Sequence, residues 1–198
     1  MGRSAIHTED DFIDAAIQLF ATHGQRAVTM GAVARELGAS NGSIYHRFPD
    51  RITLLSAVWL RTSKRMQLRY RELLGEQPTP ESATEVAVWL VEWCRDNLAE
   101  AQVLQAGARA FGRDEWSDSA KAEFDTMESA RRRLFRAQVQ VLAARTGRPP
   151  DQIAFVLLEL PLAVVRPKLL AGRAPTEREA ELVRGIADLV LAPVDVAG

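Results

Sequence analysis

Apolar residues recur along this chain at three- and four-residue steps, the period of amphipathic α-helices, and no run alternates as a strand would. Thr8 stands before an acidic first turn, and Phe12, Ala16, Leu19, Phe20 and His23 follow on one face until Gly24 stops them. Thr29 is placed to cap a second, short helix with Met30, Val33, Ala34 and Leu37 on one side and Gly38 at its end. Ser40 caps a third short helix carrying Ile44, Tyr45 and Phe48, halted at Pro49. Asp50 opens a fourth that runs to about Leu74. After the break at GEQPTP (75–80), the pattern predicts helices at 81–98, 102–112, 117–146, 151–171 and 176–191. Pro161 and Pro167 fall inside the fourth of these, which is expected to be kinked rather than broken because Val156–Leu170 is so apolar. The fold class is therefore all-α, with about nine helices and no internal repeat.

Residues 29–48, TMGAVARELGASNGSIYHRF, carry more than periodicity. Two short helices that approach closely need a small residue in the first, which is Ala34. Their tight turn needs a residue that tolerates a left-handed backbone, which is Gly38. The second helix needs an apolar anchor pointing inward, which is Ile44. This spacing is that of a helix-turn-helix, whose second helix enters the major groove of DNA. Asn41, Gly42, Ser43, Tyr45, His46 and Arg47 crowd the outward side of that helix. Their side chains suit base edges and phosphates, and Gly42 lets the backbone come close. The expected organisation is a helix-turn-helix domain at 1–50, a connecting long helix at 51–75, and a larger helical domain at 76–198.

Composition changes this picture only locally. The chain has 198 residues, 47% hydrophobic and 26% charged, which excludes disordered and collagen-like classes. Its formal net charge is −1. Residues 26–71 nevertheless hold nine Lys/Arg and two acids, a local +7 that leaves −8 for the remainder. Such a basic segment on the motif is the footprint a phosphate backbone requires. No apolar run reaches the length of a membrane span, and the N-terminus has no apolar signal core, so the expected place is the cytoplasm without membrane contact. Cys94 is the only cysteine, which leaves a buried inert thiol or a redox sensor and no cysteine metal cluster. Three histidines, without an H-E-x-x-H or a Gly-rich phosphate loop, give no expected metal, cofactor or catalytic residue, and no enzyme.

Residues 8–60 resemble the DNA-binding domain of the tetracycline-repressor (TetR) family of bacterial regulators. The resemblance rests on Phe20-Ala-Thr-His-Gly24, Thr29, Ala34-Arg-Glu-Leu-Gly38, Ser40-Asn-Gly-Ser-Ile-Tyr-His-Arg-Phe48, Pro49-Asp-Arg51 and Leu54-Leu55. It implies that Thr29 touches a phosphate and that Ser40, Asn41, Gly42 and Ser43 meet the groove. It further implies that Tyr45, His46 and Arg47 bind phosphate or base edges, and that Arg51, where the family more often has Lys, holds a phosphate. Gly31 stands where some members place a base-reading Arg. Family members carry a variable helical domain that binds a small molecule and dimerises through its last two helices. The expected function is thus a ligand-responsive repressor released from operator DNA by a small apolar or aromatic effector. An activator or a ligand-independent regulator is an alternative, and a small-molecule-binding helical enzyme a more distant one.

Two further groups are expectations. Trp59, Met66, Trp89, Trp93, Phe111, Phe124 and Met127, with Trp116, make an aromatic and Met-rich middle, which suits an effector pocket, with the first seven as its candidate residues, or an ordinary core. Leu158, Leu162, Val165 and Leu169, with Ile186, Leu189 and Val190, give the last two helices more apolar surface than one core covers. They are the candidate homodimer interface, as a four-helix arrangement, or they close the core of one subunit.

Overall fold

The structure is a computed structural model that describes residues 7–192. The ends of the expected domains, 1–6 and 193–198, lie outside the described residues. The helices are α1 (Glu9–His23), α2 (Met30–Glu36), α3 (Asn41–Arg47), α4 (Arg51–Leu74), α5 (Pro80–Asp96), α6 (Leu98–Ala110) and α7 (Asp118–Thr146). They continue with α8 (Pro150–Ala154), a π turn (Phe155–Glu159), α9 (Leu160–Leu170) and α10 (Glu177–Leu191). No strand occurs among the described residues. The all-α class holds, and α8, the π turn and α9 follow without a break as the single kinked helix expected at 151–171. The periodicity misses one feature: Gly107, at φ 77°, interrupts α6, a backbone state that glycine adopts freely.

The helix starts follow from short-range chemistry. Thr8 and Asp11 form a reciprocal capping box on α1, Thr79 and Ser82 one on α5, and Thr176 and Glu179 one on α10. Asp50 accepts from the Thr53 amide at 2.7 Å and caps α4.

The helices gather into two compact units, one comprising the chain up to Lys64 with Ala99–Asp125, the other Arg65–Leu98 with the chain from Thr126 on. The turn at 75–80, expected to separate domains, falls inside the second unit. The difference has a physical source. Phe111 is fully buried against Phe20 of α1, with ring centroids 4.9 Å apart. A Cβ at Gly112 would lie 3.3 Å from Ile52 Cδ1, so the segment after α6 fits tightly into the first unit. A Pro/Gly-rich stretch marks a turn, and a turn need not divide two cores.

The second unit is built on Leu74, Val86, Leu142, Ile153, Val156, Leu157, Ala187 and Leu191. Within it α10 lies along α5, where the Thr84 hydroxyl donates to Asp188 at 2.9 Å. Gln138 is buried and donates from Nε2 to the Gly75 carbonyl at 2.7 Å, satisfying a group at the end of α4. Pro161 has no N–H to give the carbonyl four residues back, and that carbonyl, of Leu157, accepts the Tyr70 hydroxyl at 2.9 Å. Burial pushes the Tyr70 phenol upward, so it remains a donor. Pro167 leaves the same deficit at Ala163, but that residue is exposed and water can serve it.

Glu179 joins α10 to α9. Its carboxylate accepts from the Thr176 hydroxyl and amide and pairs with Lys168 Nζ at 2.9 Å. The Thr176 hydroxyl first, then Lys168, holds its pKa down to about 2. The charged form is the one the fold favours, so this stabilisation is complete above about pH 4.3, the unfolded value, and is lost as pH falls towards 2. Urea midpoints measured from pH 5 to pH 2 should fall in the parent, and Glu179→Gln should flatten part of that fall. Parallel curves would remove Glu179 from the acid response.

Candidate nucleic-acid interface

The first unit presents α2 and α3 as a pair. The Ala39 amide bonds the Ala34 carbonyl at 2.8 Å, and Gly38, at φ 62°, turns the chain between them. Val33, Ala34, Ile44 and Phe48 are buried and fix the inner sides. With those anchors inward, Asn41, Gly42, Tyr45 and His46 are exposed, and Ser43 and Arg47 half-buried. Tyr45 is 53% exposed, an unusual setting for a large ring with no partner to cover it. A Cβ at Gly42 would meet only Ser40 Oγ, at 3.9 Å, so the fold itself does not require glycine there. Gly31 also has open space around it.

Thr29 and Ser40 act first as caps, their hydroxyl oxygens accepting from the Ala32 and Ser43 amides at 3.2 and 3.3 Å. A hydroxyl that accepts in this way still has its own proton to donate outward. Arg47 lies close enough to Asp11 to add to the lowering of that carboxyl, which the Thr8 amide and hydroxyl dominate.

Arg51 departs from expectation. Its guanidinium turns inward, with Nε donating to the Val28 carbonyl at 2.6 Å and a terminal nitrogen to the Gln25 carbonyl at 2.9 Å. The charge count along the sequence also needs correction. Arg61 is held by Asp10 and Asp14 of α1, and Arg65, Arg69 and Arg71 belong to the second unit. The +7 of residues 26–71 is therefore not one surface of the first unit.

The expected effector residues divide into two groups. In the first unit Trp59 packs on Phe124 at 5.2 Å and on Trp116 at 6.1 Å, while Phe111 is core. Trp116, the fourth tryptophan of that middle, is buried, and its Nε1 donates to the Phe111 carbonyl at 2.8 Å. Trp59 Nε1 is buried with no hydrogen-bond partner among the described residues. In the second unit Trp89 sits between Tyr70 and Trp93, at 6.4 and 6.3 Å, with Met66 and Met127 half-buried. Cys94 is buried, and burial pushes its thiol up to about 12, the state of an inert thiol. Among the described residues no group of three or more His, Cys, Asp or Glu is placed to hold a metal. None of the described helices is long and apolar enough to cross a membrane.

The candidate dimer residues also separate. Val165 and Leu169 are 0% and 6% exposed, so they serve the core of the second unit and are not available to a partner. Leu158, Leu162, Ile186 and Val190 are half-buried, and Leu189 is 75% exposed. Phe155, Leu170 and Leu182 are exposed as well, and the sequence does not single them out. In a segment apolar on all sides, periodicity does not tell which side turns inward.

Residues 12–58 match the family described as bacterial regulatory proteins, tetR family. The chain is 32% identical over 57 residues to the HTH-type transcriptional regulator AcrR of Shigella flexneri, covering 29% of this chain and 26% of that protein. It is 32% identical over 75 residues to the probable acrEF/envCD operon repressor of Escherichia coli strain K12, covering 38% of this chain and 32% of that protein. The matched segment thus spans about a quarter to a third of the length of these curated relatives. The fold resembles that of the TetR family transcriptional regulator PfmR from Thermus thermophilus, with a TM-score of 0.71 at 18% identity over 96% of this chain and 98% of that one.

Over residues 12–58 the chain is similar to the tetR family.

The matched segment takes in most of α1, all of α2 and α3 and the start of α4, the elements that bury Ile44 and expose Tyr45. The curated relatives and the neighbouring structure are regulators by description, and none is an enzyme.

Proposed function

We propose that this protein is a homodimeric, DNA-binding transcriptional repressor of the cytoplasm, released from its operator by a small apolar or aromatic effector. The presentation of α3 carries the reading. Ile44 and Phe48 anchor one side, and the other offers Asn41, Gly42, Tyr45 and His46 to a groove. Gly42 supports it, because a glycine that the fold does not need suits close approach of an outside surface. The likeness to a probable operon repressor favours repression over activation. Trp59 favours an effector in the first unit. A buried indole N–H without a partner costs about 1–3 kcal/mol, which a ligand bearing an acceptor would recover. Effector binding would release DNA only in so far as the effector prefers the conformer with the wrong recognition-helix spacing.

Sequencing the DNA fragments captured by the purified protein tests the reading, with titrations on the captured site to follow. Affinity should fall steeply with salt. Tyr45→Ala should weaken binding about tenfold or more, the worth of a hydrogen bond to a charged phosphate, without changing the melting temperature. No enriched site, or an unchanged Tyr45→Ala affinity, would remove α3 from the interface.

A further inference from the structure

The α2–α3 pair begins just after Val28 and ends just before Arg51. One guanidinium bridges these two points. Arg51 Nε reaches the Val28 carbonyl at 2.6 Å and its terminal nitrogen the Gln25 carbonyl at 2.9 Å, across 23 and 26 residues of sequence. The Gln25 carbonyl belongs to a single short turn, and the Val28 carbonyl receives no backbone donor in the bonds observed. The chain leaves α1 at Gly24, at φ 78°, and makes a single 3-10 turn over Gln25–Ala27. That turn is held by Val28 N to Gln25 O at 3.2 Å and Thr29 N to Ala27 O at 2.9 Å. The Val28 side chain is buried, which directs the chain into the core, but its carbonyl has only Arg51 to meet in the bonds observed. The next residue is Thr29, exposed, with its hydroxyl oxygen on the Ala32 amide.

We infer that Arg51 is a positioning residue for DNA recognition, a clamp that closes the entrance and exit of the helix-turn-helix pair, and not itself a phosphate ligand. The inference rests on the DNA-binding reading above. The clamp sets where α2 starts relative to α4, and so the direction in which Thr29 and the α2–α3 pair are presented. Arginine suits the task because its planar fork offers donors at two separate positions. A lysine keeps the charge but places one ammonium where two nitrogens stand now.

Arg51→Lys and Arg51→Met, each compared with the parent, separate the clamp from a phosphate ligand. Two readouts are taken: affinity for a captured DNA site across a salt series, and amide hydrogen exchange of Gln25–Thr29 without DNA. The clamp predicts that Arg51→Lys loses affinity about tenfold, close to the loss in Arg51→Met, because charge-assisted bonds to both carbonyls are gone. It predicts that the salt slope of Arg51→Lys stays at the parent value, since the phosphates contacted are the same. It also predicts at least tenfold faster exchange at Val28 and Thr29 in both variants. Parent-like affinity in Arg51→Lys, with a slope lowered by about 0.9 per lost contact in Arg51→Met, would show a phosphate ligand and overturn the inference. Unchanged exchange in both variants would overturn it too. If the parent itself binds no DNA while exchange accelerates, the DNA reading fails and the clamp survives only as a structural bond, which also overturns its role in recognition.

Discussion

In the proposed homodimer, replacing Leu182 and Leu189 together with arginine should give monomers in sedimentation and lower DNA affinity about a hundredfold or more, because two linked half-site readers become two separate ones. The two leucines are 53% and 75% exposed, too much apolar surface to leave in water, and they lie seven residues apart on α10 with half-buried Ile186 between them. Exposed Phe155 and half-buried Leu158 and Leu162 form a second stripe on the kinked helix that ends in α9. A twofold interface would use each stripe twice, so the double substitution removes four leucines from one dimer. At about 1.5 kcal/mol for each, the loss is about 6 kcal/mol, or a factor of about ten thousand in the dimerisation constant, before repulsion between the new charges. Exposed positions outside the core tolerate such changes, so the monomer should melt as the parent subunit does. A dimer that persists with an unchanged constant would move the interface elsewhere. Deleting 151–198 would not isolate the interface. Val156, Leu157, Ala187 and Leu191 share one buried cluster with Leu74, Val86 and Leu142, so the deletion removes much of the core of the second unit.

The same contrast shows what a sequence reveals and what it hides. The starts of α1, α2, α3 and α5 are legible because a cap and its amide lie three residues apart. The inward place of Ile44 and the turn at Gly38 are legible because steric need fixes residue type at short spacing. Arg51 is not, since its two carbonyls lie 23 and 26 residues away and nothing local distinguishes an arginine turned inward from one turned to a phosphate. Gln138 and Tyr70 are hidden for the same reason, at 63 and 87 residues from their acceptors. The aromatic residues of the middle share a composition but not a location, because two cores can both be rich in Trp. Val165 and Leu169, candidates for an outer face on hydrophobicity, lie inside, a choice made by the packing of α9 on α5.

Tyr70→Phe should cost the second unit about 2 kcal/mol, read as a lower urea midpoint, and most of that cost should vanish when Pro161 is alanine. The hydroxyl lost is the donor to the Leu157 carbonyl, at 2.9 Å, in the π turn that interrupts the kinked helix. Phenylalanine keeps the ring and its edge contact with Trp89, so packing is little disturbed. What remains is a buried carbonyl with one donor fewer, and that omission is more costly than the net worth of an average hydrogen bond. Pro161→Ala returns an N–H one turn ahead of the same carbonyl and lets the helix use its ordinary i to i−4 bond. The two substitutions should therefore be coupled by about 1 kcal/mol or more in a double-mutant cycle, with the single Tyr70→Phe the least stable of the four proteins. Additive effects would mean that Tyr70 stabilises the unit by some route other than the proline's missing proton. Coupling would instead identify the tyrosine as the compensation that allows a buried proline inside a continuous helix, and would explain why the helix bends there without breaking.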